Sequence, residues 1–283
     1  MKENTKHLLG DAILLSVAFI WGLGFVAVKI GLNDGMSPFF LMTLRFGVAA
    51  LALLPLQWKK RKLIKKETFK HGSLLGFFMF LGFAFQTFGL QYTTTSKNAF
   101  LTGVNVILVP FLTWFFLKKK IPLRSAFAAL LSLIGMGLLT LNDDLSINIG
   151  DLLTIVCAVM FAAHITMTSV IAKNDSAMSL VLIQMITATL LSFVMTLIIR
   201  EPWSLTPSSS LAILYLGIFS TMLAFVLQTV GQRFAHATKA AILLSAESLF
   251  GAFFGVVLFH DAMSPRMLLG AGVIFLGILL AEL

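Results

Sequence analysis

The chain has 283 residues, of which 58% are hydrophobic and 12% charged. A soluble protein carries about twice that charge, and no polar segment here is long enough to build a separate soluble core. The net charge of +9 would suit nucleic acid, but the positive residues cluster in a few gaps between apolar runs, so that partner is excluded. The single cysteine, Cys157, lies inside an apolar run. It excludes an intramolecular disulfide and a cysteine-rich metal site, and neither a cofactor nor a metal is expected.

A bilayer core of ~30 Å needs an apolar helix of about 20 residues, and the chain offers roughly ten such runs. The first, Asp11–Gly31, follows a short basic start. It is too long for the apolar part of a signal peptide and lacks a clear cleavage site, so it reads as a retained helix. The second is Ser37–Trp58, with Arg45 inside it. The gap Lys59–His71 is the most basic stretch. Helix three is Gly72–Gln91. Helix four is Lys97–Leu117, with a kink expected at Pro110, which membranes tolerate because neighbours satisfy the freed carbonyl. Helix five is Leu123–Leu141. A polar, acidic linker, Asn142–Asp151, leads to helix six, Asp151–Ile171. Helices seven to ten are Ser176–Ile199, Ser210–Gln232, Thr238–Phe259 and Pro265–Ala281.

The chain repeats itself. QTFGLQYTTTSKNA (Gln86–Ala99) returns as QTVGQRFAHATKAA (Gln228–Ala241), with Gln, Thr, Gly, Lys and Ala identical at a constant offset of 142. Five identities in fourteen positions compare with roughly one expected from average usage. The offset persists through Phe111/Phe253, Gly135/Gly277, Leu138/Leu280 and Leu141/Leu283. Upstream, Gly10–Gly22 lies over Gly150–Ala162 at an offset of 140. Residues 11–141 and 150–281 thus read as two copies of one unit.

Each copy has five helices, an odd number, so the second enters the membrane from the opposite side. The expected fold is an all-α integral membrane protein, with ten transmembrane helices arranged as two inverted five-helix repeats. Many secondary transporters are built this way. Loop charges orient the chain. With the N-terminus inside, sixteen Lys and Arg fall on the inner side and three on the outer. Both termini are therefore expected in the cytoplasm and the chain in an inner membrane.

Ionisable groups at membrane depth are costly and face a cavity or a partner. Arg45 lies ~12 Å into its helix; it reads as a structural arginine or as a cavity cation that meets a solute carboxylate. Glu247, in helix nine, reads as a structural pair member, a site for a solute ammonium or a proton carrier. Its counterpart by the repeat is Asn105. The matched Gln86 and Gln228 suit interhelical hydrogen bonding or ligand contact. His164 and Gln184 are further candidates, His164 being more readily structural. Trp21, beside Gly22 and Gly24, reads equally as pathway lining or packing. Lys29 is near a helix end and can snorkel. Gly251/Gly255 and Gly72/Gly76 have the spacing of close helix contacts, although the second pair begins at its expected helix end.

WGLGFVAVKIGL in helix one, FFLMTLRFGVAALALLPL in helix two, and LLSAESLFGAFFGVVLFHDAMSPRMLLGAGVIFLGILL at the end resemble the EamA-domain branch of the drug/metabolite transporter superfamily. The resemblance covers nearly the whole chain as two such units. It implies a ten-helix inner-membrane transporter, often an exporter of amino acids, other metabolites or drugs, and marks Arg45 and Glu247 as family positions. The acid that usually follows helix nine is Asp261 here, and its counterpart in the first copy falls in Lys118–Lys120. The expected function is alternating-access transport of a small organic solute, with protons as a further partner and lipid as the surroundings. A membrane-embedded enzyme acting on lipid-linked substrates lacks a visible nucleophile–base pair or ligand cluster. A passive channel would leave the duplication unexplained.

Overall fold

The computed structural model describes residues 3–58, 64–93, 95–118, 120–140, 148–259 and 264–282. Among them the secondary structure is helical throughout and groups into ten helices. These are α1 (Glu3–Asn33), α2 (Pro38–Trp58), α3 (Lys66–Tyr92), α4 in two arms (α4a, Thr95–Gly103; α4b, Asn105–Leu117), α5 (Leu123–Thr140), α6 (Ile149–Ile171) and α7 (Ala177–Ile199). α8 runs from Pro207 to Gly231 and contains a π-helical segment at Leu216–Leu223. α9 again has two arms (α9a, Ala237–Leu244; α9b, Glu247–Phe259), and α10 is Pro265–Glu282. Seven of the described helices are long and apolar enough to cross a membrane, while α5 and α10 carry shorter apolar stretches. The acidic linker at 141–147, the first part of the basic gap at 59–63, Lys119 and Asp261 lie outside the described residues.

Local chemistry explains where helices begin. α6 starts on a capping box: Asn148 Oδ1 accepts from the Asp151 N–H, and Asp151 Oδ2 accepts from the Asn148 N–H, both at 3.0 Å. α8 starts on Thr206 and Ser209, paired in the same way, with Pro207 supplying its fixed φ to the first turn. α1 and α3 begin earlier than their apolar runs suggest, because polar residues extend both helices upstream of those runs.

Helix packing follows a two-fold exchange of the halves. α2 packs on α7 and α5 on α10. The α3–α6, α3–α7 and α4–α6 contacts are mirrored by α8–α1, α8–α2 and α9–α1. Single atoms obey the same exchange. A Cβ at Gly135 would lie 2.7 Å from Gly270 O and from Ile274 N, and one at Gly277 would lie 2.7 Å from Ser132 Oγ and 3.0 Å from Ala128 O. Gly10 abuts Phe234 and the Gly231 carbonyl, as Gly150 abuts Tyr92 and the Gly89 carbonyl. Glycine is needed at these crossings because backbones meet where a side chain would stand. The Gly72/Gly76 pair belongs to this set: α3 begins at Lys66, so both glycines lie well inside it, against Ile183 and Gln184 of α7.

The two helices that pair with their own counterparts run antiparallel. The start of α2 is tied to the end of α7 by Ser37 Oγ to the Pro202 carbonyl (3.0 Å) and the Phe40 N–H to Glu201 (3.0 Å). A two-fold axis that relates antiparallel partners lies across the helices, in the plane of the membrane. The second repeat is therefore inverted.

Helix four is interrupted ahead of Pro110 and not at it. α4b runs unbroken through Pro110. The interruption lies at Gly103–Asn105, and α9 is interrupted at the matched Ser245–Glu247. The breaks share their geometry: Val104 N to Leu101 O is 3.3 Å, and Ala246 N to Leu243 O is 3.2 Å. A polar side chain takes a carbonyl of the preceding turn in each case. Asn105 Nδ2 donates to Thr102 O (2.9 Å) and Ser245 Oγ to Ile242 O (2.6 Å). Such bonds compete with the helical ladder. Proline at 110 removes one donor, whereas these side chains occupy acceptors beside a glycine or serine.

Candidate functional site

The polar interruptions of α4 and α9 open onto one cavity, lined largely by apolar and aromatic side chains with a few polar groups among them, as small-molecule sites are. α1, α2, α3, α4, α6, α8 and α9 enclose it. Trp21, Arg45, Gln86, Asn105, His164, Gln228 and Glu247 all line it. Gln184 does not. It is fully buried on α7, one layer back, where its Oε1 accepts from His164 Nε2 (2.9 Å).

The walls are aromatic and doubled by the repeat. Trp21 meets Phe225 with ring centroids 5.3 Å apart, and Phe161 meets Phe83 at 5.1 Å. Phe83 and Phe225 touch each other at 6.0 Å, across the axis. Both stand at the offset of 142, so the identity was open to view in the sequence, although one phenylalanine among 27 carries little signal by itself.

Amides form a second layer, in which Gln86 and Gln228 are the doubled pair. Gln86 Nε2 donates to Thr102 Oγ1 (3.2 Å). Asn98 Nδ2 donates to Thr154 Oγ1 (2.8 Å) and to the Gln86 carbonyl (3.1 Å). Gln228 Oε1 and Asn98 Oδ1 are buried with no hydrogen-bond partner among the described residues. A buried carbonyl oxygen without a donor is uncommon in folded proteins, and in a cavity wall it is an acceptor held ready.

The charged groups are not doubled. Arg45 is 2% exposed. Its Nε and Nη2 donate to Thr221 Oγ1 (3.1 and 3.0 Å), and its guanidinium carbon is 4.2 Å from the Phe83 ring centroid. The ring face offers a cation–π contact that offsets part of the cost of burial. Arg45 has no acidic partner among the described residues, and its Nη1 makes no protein hydrogen bond there. Glu247 is 8% exposed and opens the second arm of α9, with no hydrogen-bond or ion-pair partner among the described residues. One uncompensated cation and one uncompensated carboxyl thus share one cavity. The described residues include no group of three or more His, Cys, Asp or Glu side chains placed to share a metal ion.

Thr221 and Ser220, which hold Arg45 and Trp21, were not legible as site residues. Trp21 Nε1 donates to the Ser220 carbonyl (2.9 Å), and both acceptors lie in the π segment of α8. The one available signal is a shift of spacing: nine residues separate Gly76 from Gln86, but ten separate Gly217 from Gln228.

An all-helical fold of inverted halves around an internal cavity is the architecture of a multi-pass membrane transporter. The model of the EamA-like transporter family matches residues 8–141 and 148–283, and the chain belongs to that family. It is 33% identical over 281 residues to an uncharacterized transporter of Archaeoglobus fulgidus, covering 99% of this chain and 88% of that one. It is 26% identical over 284 residues to the uncharacterized transporter YoaV of Bacillus subtilis, covering 96% and 95%. A Chlamydia muridarum protein named as an S-adenosylmethionine/S-adenosylhomocysteine transporter is 24% identical over 92% of this chain and 87% of its own. A solved crystal structure superposes with a TM-score of 0.81 over 96% of both chains at 18% identity, a likeness of fold alone.

Proposed function

We propose that the protein is a secondary transporter that exports a small organic solute across the inner membrane by alternating access, with both termini in the cytoplasm. One observation carries the solute class: Arg45 and Glu247 line a single aromatic cavity, and neither has a protein partner of opposite charge among the described residues. A solute that brings its own carboxylate and ammonium would satisfy both, with its apolar body against Trp21, Phe83, Phe161 and Phe225. Amino acids and amino-acid-like metabolites have that form. A relative named for S-adenosylmethionine and S-adenosylhomocysteine supports it, since both solutes carry an amino-acid head on a larger body. The inverted halves supply two symmetry-related routes from the cavity, one to each face. Glu247 is the group through which protons would couple to the solute.

The test is counterflow of radiolabelled amino acids in proteoliposomes, across a panel of side chains. Arg45→Ala and Glu247→Gln are each expected to abolish saturable flux. Unchanged flux in both would remove the two residues from the mechanism. Collapsing the proton gradient should stop uphill transport if Glu247 carries protons, and leave only equilibration if it does not. Reporter fusions at the α1 start and at Asn148 should land on opposite faces of the membrane.

A further inference from the structure

The repeat makes it possible to date the geometry around Arg45 to a single residue of sequence. Gly76 of α3 packs on the Gln184 carbonyl and Thr187 of α7. Gly217 of α8 packs on the Arg45 carbonyl and Val48 of α2. These contacts make Gly76 and Gly217 counterparts at an offset of 141, with Arg45 matching Gln184 and Val48 matching Thr187 at 139. Ten residues later the offset is 142, at Gln86 and Gln228. One extra residue has therefore entered α8 between Gly217 and Gln228. That interval contains most of the π segment, Leu216–Leu223. A π turn is how a helix absorbs one surplus residue without changing the register on either side.

The surplus residue has chemical consequences found only in this half. α3 is a regular α-helix over the matching stretch, and the residues that face Thr221 by the repeat, Met79 and Phe80, are apolar. Gln184 finds no hydroxyl on α3 and bonds His164 instead. In α8 the π turn places Thr221 Oγ1 under two guanidinium nitrogens of Arg45 and turns the Ser220 carbonyl to Trp21 Nε1. Phe161, the counterpart of Trp21, has no N–H to give. With Nε and Nη2 anchored on one hydroxyl, the planar guanidinium has its remaining edge, Nη1, fixed in direction.

We infer that the one-residue insertion in α8 is the device that aims Arg45 into the cavity, and that Thr221 is the positioning residue that sets the site's preference for a solute carboxylate. The inference rests on the transport reading above only for the word carboxylate; the anchoring of Arg45 stands apart from it. A rigid, pre-aimed donor binds better than a mobile one because less freedom is lost on binding.

The test uses the full chain in lipid nanodiscs with 15N-labelled arginine, the Arg45 Nε–H signal being assigned by its absence in Arg45→Lys. Wild type and Thr221→Ser should show a slowly exchanging Arg45 Nε–H. Thr221→Val should speed its exchange about tenfold, the worth of one net hydrogen bond. Deleting Met222, which restores the α3 spacing, should do the same. If the deletion does not fold, the valine and serine variants still decide. An unchanged Arg45 signal in Thr221→Val overturns the inference. Binding of three probes supplies the second readout: phenylalanine, 3-phenylpropionate without the ammonium, and 2-phenylethylamine without the carboxylate. Thr221→Val should weaken the first two about tenfold and leave the amine unchanged, with serine restoring both. Equal loss for all three, or tighter binding of the carboxylates, overturns the positioning role. If no probe binds the wild type, the amino-acid reading fails, while the Nε–H signal alone decides whether Thr221 holds Arg45.

Discussion

α3 and α8 occupy matched places in the two halves, cross matched neighbours and carry matched glycines, yet one is a regular α-helix and the other is broken by π turns. The scaffold around them is symmetric because small residues at helix crossings leave one way to pack. The cavity between them is not symmetric, because Arg45 corresponds by the repeat to Gln184, which lies behind the wall, and Glu247 corresponds to Asn105. Within one cavity, Phe83/Phe225 and Gln86/Gln228 stay paired by the repeat, while the charged positions have separate identities in the two halves.

The largest expected effect on folding tests the symmetric part. Gly76→Leu would drive a side chain against Gln184 Cα and O, each 2.9 Å from its Cβ, and Gly217→Leu would drive one into Val48 at 2.5 Å. Overpacking of this kind costs about 1–3 kcal/mol or more, so both variants should lose thermal stability to a similar degree in detergent. A tolerated leucine in either helix would show that the halves are not packed alike.

Next comes the asymmetric part. Arg45→Gln gives α2 the residue that α7 already has. Losing a buried charge from its ligand typically costs about 2–5 kcal/mol, so binding of a carboxylate solute should fall at least about thirtyfold. Gln184→Ala removes only a hydrogen bond from His164, and the change should stay within about tenfold. Equal effects would mean that the charge difference between the halves has no functional weight.

The smallest effect concerns the turns that close each half on the other. At one face, Asp34 after α1 accepts from Thr206 (2.6 Å) and from Ser208 at the start of α8. At the other, Asp175 after α6 accepts from Thr68 and from His71 (2.9 Å) at the start of α3. The bonds from Ser208 and then Thr206 hold the Asp34 carboxyl below its ordinary value of 3.8. For Asp175, burial pushes the pKa up, but the bonds from Thr68 and His71 outweigh it and the net direction is also down. A carboxyl lowered by folding stabilises fully above its unfolded pKa and loses that contribution as pH falls through the folded value. Asp175→Asn and Asp34→Asn should therefore each lower the melting temperature at neutral pH, Asp175→Asn by more. Both differences from wild type should shrink as the pH falls below 3.8. A deficit that persists in acid would assign these turns to packing and not to charge.

The sequence by itself determined the class, the ten helices and the inversion. Those follow from apolar length and from an odd number of spans per repeat, which are properties of a chain in a bilayer and need no partner. It also nominated the cavity residues, because an ionisable or amide side chain at membrane depth has few places to go. It did not foresee the interruption of helix four at Gly103–Asn105, where the Asn105 side chain competes for an acceptor of the helical ladder. Only the tertiary structure decided that Gln184 stands behind His164, that Thr221 carries Arg45, and that the two charges of the cavity meet no countercharge among the described residues. Each depends on which atoms from distant helices come within about 3 Å. A one-residue difference in helix register decides that distance, and no single stretch of sequence carries it.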